Sequence, residues 1–133
     1  MKKYAIHTFL LFAAIAYAQT DFYSVLADSA FSLTNQKVRY DGSYRKIPYP
    51  GGDVPADIGV CTDVVIRAYR KLGIDLQKEV HEDMLSDFNL YPKIWGLPRP
   101  DKNIDHRRVP NLMKFFSRKG TVLAKTQNAE DYK

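Results

Sequence analysis

The sequence predicts an α+β fold dominated by helix. Three observations point there. Apolar residues recur at helical spacing in four segments, β-prone residues gather in two short ones, and a proline- and glycine-rich loop lies between. The chain has 133 residues, which is room for one small domain. A chain of this size buries roughly two-thirds of its surface on folding, so a core is possible but not generous.

The N-terminus has its own pattern. Lys2 and Lys3 give a basic start, an apolar run covers roughly Phe9 to Ala16, and Ala16-Tyr17-Ala18 is a small-x-small site. This is the layout of a cleaved signal peptide, residues 1–18, with the cut expected between Ala18 and Gln19. The competing reading is an anchor helix. The apolar run is short for a bilayer, and no cysteine follows it to take a lipid. Residues 19–133 are then one exported domain with no stable membrane span.

Residues 21–34 read as an amphipathic helix with Phe22, Val25, Leu26, Ser29 and Leu33 on one face and Asp21 placed to cap or charge its start. Residues 38–49 are rich in Tyr, Val and Ile but broken by Asp41-Gly42, which suggests a short extended pair around a turn. From Ile47 to Val60 there are three prolines and three glycines in fourteen residues, a composition that excludes regular structure. This constrained loop delivers the chain to Cys61, and its glycines permit positive φ or close backbone approach.

A helix follows from Thr62, expected to bury Val64, Val65, Ala68 and Leu72 with Cys61 in line, and to end at Gly73 as a left-handed cap. A second starts after Asp75 and runs to about Asn89 on Leu76, Val80, Met84, Leu85 and Phe88, with Pro92 as its stop. Tyr91 to Pro100 is an aromatic, proline-bearing loop, and residues 101–109 are charged and irregular. Pro110 opens a third helix, Asn111 to Lys119, with Leu112, Met113, Phe115 and Phe116 inward and Gly120 as its cap. Thr121 to Ala124 are expected to begin a strand.

The formal net charge is +5, and removing Lys2 and Lys3 leaves +3. Basic and acidic residues interleave, and no basic stripe carries stacked aromatics, so nucleic acid is excluded as a partner. A mild positive balance suits an anionic surface, and equally an ordinary solvated one.

Cys61 is the single cysteine. In an oxidising compartment it has no internal disulfide partner, so it is either buried filler or a reactive group. At a helix start it meets backbone N–H groups and the positive end of the helix dipole. Both favour thiolate over thiol, the condition for a nucleophile near neutral pH.

Cys61-Thr62, Val64-Val65, Tyr69 and Gly73-Ile74-Asp75-Leu76 resemble the active-site helix of the NlpC-type cell-wall cysteine peptidases. Gly51-Gly52 is similar to the Gly-Gly of that family's approach loop, although Pro50 replaces the aromatic before it. A closer resemblance covers nearly all of residues 19–133. The strings Ile47 to Pro55, Gly59 to Asp63, Val80 to Met84 and Asn103 to Asn111 resemble the bacterial family called domain of unknown function 1287. That family is similar in fold to the NlpC-type and papain-like peptidases. The resemblance implies a periplasmic or secreted cysteine peptidase or amidase acting on peptidoglycan stem peptides, built mainly as the helical half of a papain-like fold with an incomplete sheet. It implies no cofactor.

A second departure is larger. The peptidases take their base from a histidine on a strand well after the cysteine, in a His-hydrophobic-Gly context, and this sequence has no such segment. The resemblance therefore implies an N-terminal portion of the domain with impaired turnover.

Catalytic candidates are Cys61, whose backbone N–H also serves an oxyanion hole, and His106, the best substitute base within the chain. Asp105 is adjacent to His106 and so poorly placed to orient it; Asp101 or Asp63 would serve only if the fold brought them close. The substrate-binding candidates are Tyr49, Asp53, Asp63, Trp95, Arg107 and Arg108. Arginines in the 106–108 segment suit a stem-peptide carboxylate. Tyr49 and Trp95 suit a groove for sugar or peptide, or satellite core. His81-Glu82 has no further ligands at metal spacing, so no metal is expected. The alternative is a non-catalytic envelope protein that binds through the loops around Tyr49, Trp95 and His106.

Overall fold

The computed structural model describes residues 21–132. The expected signal peptide, residues 1–18, lies outside the described residues. The described elements are α1 (residues 21–32), β1 (Arg39–Tyr40), β2 (Ile58–Gly59), α2 (Cys61–Lys71), α3 (Leu76–Asp87) and α4 (Val109–Lys119). Short 3-10 turns occupy Leu33–Asn35, Phe88–Leu90, Asp105–Arg107 and Ala129–Tyr132. The class is α+β with a small two-stranded sheet.

The chain divides into two compact units. The first holds the described residues up to Gly42 together with Val54–Leu76, and the second holds Ser43–Asp53 together with the described residues from Gln77 onward.

In the first unit, β1 and β2 pair in parallel with Arg39 opposite Ile58 and Tyr40 opposite Gly59. The expected hairpin about Asp41-Gly42 is not formed. The N–H of Arg39 donates to the Asp57 carbonyl at 2.9 Å, and that of Asp41 to the Gly59 carbonyl at 3.0 Å. The loop from Ile47 to Val60 was expected to lack regular structure, yet its Ile58–Gly59 end is a strand. A parallel partner must come from distant sequence, so β1 found one across the loop and not across the turn.

α2 is preceded by extended Val60 and followed by Gly73 at φ +80°, the left-handed cap the sequence predicts. Its buried residues are Thr62, Asp63, Ile66 and Ala68. Val64 and Val65, expected inward, are exposed, and Leu72 is half-buried. The helix is rotated about its axis relative to the apolar stripe because Asp63 is drawn inside to bond the backbone of Val60. α1 packs with Ser29 buried and the Phe22 ring edge-on to Tyr69 at 6.3 Å, while Val25 is exposed.

In the second unit, Val80, Met84, Tyr91, Leu112 and Phe115 are the buried apolar residues. α4 has Pro110 in its first turn, as expected, but starts at Val109, two residues before the expected Asn111. Leu85 on α3 and Met113 on α4 are exposed, against expectation. Thr121 to Ala124 form no strand.

A charged network closes this unit. Asp83 accepts from Tyr91 Oη at 2.7 Å and from Arg118 Nε at 2.7 Å, with Lys119 Nζ at 2.9 Å. Arg118 also reaches Asp87 at 2.5 Å. Burial pushes the Asp83 carboxyl up, but the bonds from Arg118, Tyr91 and Lys119 outweigh it and hold the group well below the usual carboxylate range.

Candidate functional site

Cys61 is the first residue of α2 and is solvent-exposed. Four features fix that helix start. The loop before it ends in β2, which pairs with β1. The N–H of Val60 donates to Asp63 Oδ2 at 2.6 Å, and the N–H of Asp63 donates to the Val60 carbonyl at 3.0 Å. This reciprocal arrangement is the carboxylate half of a capping box. Gly59 lies against the same carboxylate; a Cβ there would stand 3.2 Å from Asp63 Oδ2. Arg67 Nη2 gathers the carbonyls of Val54, Pro55 and Ile58 at 3.4, 3.3 and 3.1 Å, tying the end of the loop to the second turn of α2. Asp63, a substrate-binding candidate from sequence, is thus only 2 % exposed and positions the helix that carries Cys61.

A depression of about 170 Å³ runs beside this helix start, lined by Leu33, Val38, Val60, Asp63, Val64 and Arg67 among others. Val60 and Val64, on either side of Cys61 in sequence, line it, and Cys61 does not.

In the second unit the Tyr49-Pro50-Gly51-Gly52 loop is held from inside. Gln77, with no exposed surface, accepts from the Gly52 N–H at 2.8 Å and donates to the carbonyls of Pro48 at 2.9 Å and Lys102 at 3.1 Å. The Tyr49-Pro50 bond is cis, and Gly51 has φ +78°. A Cβ on Gly52 would stand 2.1 Å from the Pro48 carbonyl oxygen, so only glycine fits. Sequence reading missed Gln77; its only signal was a polar residue beside Leu76 at the start of a helix.

The loop presents Tyr49 to His81, the rings edge-to-face at 5.2 Å, with Lys102 Nζ 5.3 Å from the Tyr49 ring centre. Burial pushes the His81 imidazole below its usual range despite the acidic groups Asp105, Asp101 and Glu82. Asp53 is half-buried in the same segment.

His106, the base candidate, lies in the 3-10 turn Asp105–Arg107 and is 2 % exposed. Arg107 is 7 % exposed. Arg108 does not stand free: its Nη1 pairs with Asp105 Oδ1 at 2.8 Å and its guanidinium carbon lies 4.1 Å from the Trp95 ring centre. Trp95 and Arg108 together border a cavity of about 10 Å³, room for roughly one water and no ligand. Burial pushes the Asp105 carboxyl up, although Arg108 and the Asp101 N–H oppose this. The candidates therefore fall into two sets: Cys61 and Asp63 in the first unit, and Tyr49, Asp53, Trp95, His106, Arg107 and Arg108 in the second. Among the described residues no group of three His, Cys, Asp or Glu side chains is arranged to hold a metal ion, and no helix is long and apolar enough to cross a membrane.

Comparison with known proteins places the chain. It is 52 % identical over 107 residues to the Uncharacterized protein YijF of Escherichia coli (strain K12), covering 80 % of this chain and 52 % of that one. The chain thus spans about half the length of this curated relative. No solved structure matches. Residues 27–133 match the family described as Domain of unknown function (DUF1287), and the Gly51-Gly52 loop, the Cys61 helix and the 103–111 segment all lie within the match. The chain belongs to the DUF1287 family.

Proposed function

We propose that this chain is a papain-like thiol hydrolase of the bacterial envelope whose substrate is an amide of the peptidoglycan stem peptide. The observation that carries the reading is the exposed Cys61 at the first position of α2, with its helix start fixed by Asp63 and Arg67. The Cys61 sulfur attacks the amide carbonyl carbon and gives up its proton. The C–N bond breaks, the amine leaves with a proton, and a thioester remains; water then releases the acid and returns the thiol. Backbone N–H groups at the start of α2 stabilise the oxyanion. The proton lost by the thiol reaches the leaving amine through solvent, and with no base assigned in the first unit the proposal is acylation with slow turnover.

Covalent labelling tests the reading. A stem-peptide analogue with a chloroacetyl group at the scissile carbonyl is expected to label Cys61 at least about tenfold faster than the same group on a neutral peptide of equal length. Equal rates for the two probes would count against a stem-peptide site.

A further inference from the structure

The second unit contains a groove of about 520 Å³ that the thiol chemistry does not use. This volume lies within the range of small-ligand sites. Its walls are Leu85, Leu97, Pro98 and Pro100. Leu85 is 61 % exposed although its place in α3 suggested burial, and Leu97 is exposed as well. At one end Tyr44 and Asn103 meet, the Asn103 Nδ2 donating to Tyr44 Oη at 2.9 Å.

The charges around the groove are unequal. Arg99, Lys102, Asp101 and the His81 imidazole line it. Asp101 is turned into its own bend: its Oδ1 accepts from the Asn103 N–H at 2.9 Å and from Asn103 Nδ2 at 3.0 Å. Arg99 and Lys102 make no ion pair among the described residues, and Lys102 Nζ lies 5.3 Å from the Tyr49 ring centre and close enough to His81 to act on its imidazole. The groove thus combines apolar walls with two cations against the single carboxylate of Asp101. A lone phosphate would leave the walls bare, and a nucleic acid would find too little positive charge. An acidic peptide with an aliphatic side chain satisfies both features.

We propose that this groove binds a short extended peptide that carries carboxylates, through Arg99 and Lys102, with its aliphatic side chain against Leu85 and Leu97. The site does not depend on Cys61 and stands or falls separately from the hydrolase reading.

The test is a titration of the full chain, followed by NMR shifts, with N-acetyl-Ala-Glu-Leu as the free acid and N-acetyl-Ala-Gln-Leu-amide as the neutral control. The acid is expected to bind at least about tenfold tighter than the control, and to weaken as salt rises. The double variant Arg99→Gln/Lys102→Gln, at two exposed positions, should lose that preference and keep the wild-type melting temperature. Cys61→Ser should bind as wild type does. Equal affinity for acid and amide, an unchanged preference in the double variant, or binding to phosphatidylglycerol vesicles with none to the peptide would each overturn the proposal.

Discussion

The backbone N–H of Gly52 donates to the side chain of Gln77 at 2.8 Å, and through this bond a buried amide on α3 holds the loop that presents Tyr49. The same side chain takes up the carbonyls of Pro48 and Lys102. Replacing Gln77 with Leu strips three backbone groups of their partner at once. The expected cost is about 2–4 kcal/mol, measured by urea unfolding. Gly52→Ala should destabilise as well, because the Pro48 carbonyl occupies the space its methyl needs. A neutral result for either variant would show that the loop is not clamped from inside.

Asp83 predicts the acid limb of stability. Its carboxyl is held below an unfolded-state pKa of about 3.9, so the ionised group stabilises the fold above about pH 4, and that contribution is lost as pH falls further. Asp105, raised by burial, acts in the opposite sense, so the Asp83 part is read as a difference. Asp83→Asn should flatten the dependence below pH ~4 and cost about 2–4 kcal/mol at neutral pH, where Arg118 and Lys119 lose their shared partner. Melting temperatures of both proteins across acidic pH check the sign and the window.

The rotation of α2 has its own signature. Ile66, 1 % exposed, should cost about 2–4 kcal/mol as Ala, whereas Val64→Ser should stay within about 0.5 kcal/mol. The apolar stripe read from sequence alone gives the reverse order for Val64. Denaturant midpoints of the two variants decide between the registers.

Asp63→Ala should cost about 1–2 kcal/mol through loss of the bond from the Val60 N–H. Because the same bond fixes the helix start, alkylation of Cys61 should slow along with the loss of stability. Asp63→Asn keeps an acceptor at that N–H and should restore most of the rate. A rate that stays unchanged in Asp63→Ala would separate the cap from the thiol.

Much of this was legible in the sequence. Helical periodicity located α2, α3 and α4, Gly73 marked the end of α2, and the single cysteine at a helix start stood out. What escaped were the choices made by long-range partners. β1 pairs with Ile58–Gly59 because a strand cannot announce a parallel partner from distant sequence. Leu85 and Met113 fit the helical period but lie at its edge, where local spacing does not decide burial. Asp63 and Arg108 read as substrate-binding candidates, and Gln77 drew no reading. Each instead serves a buried backbone or an aromatic face, and only three-dimensional neighbours reveal that. The 106–108 segment was expected to present arginine to a ligand, yet the fold gives Arg108 to Asp105 and Trp95.

The central claim concerns the sulfur of Cys61, and acid-quenched intact-mass spectrometry reads it directly. Wild-type protein incubated with a purified stem peptide should gain the mass of the acyl fragment, with the gain mapping to Cys61 and absent from Cys61→Ser. Wild-type protein that keeps its own mass while remaining folded, or an adduct that persists in Cys61→Ser, would contradict the account.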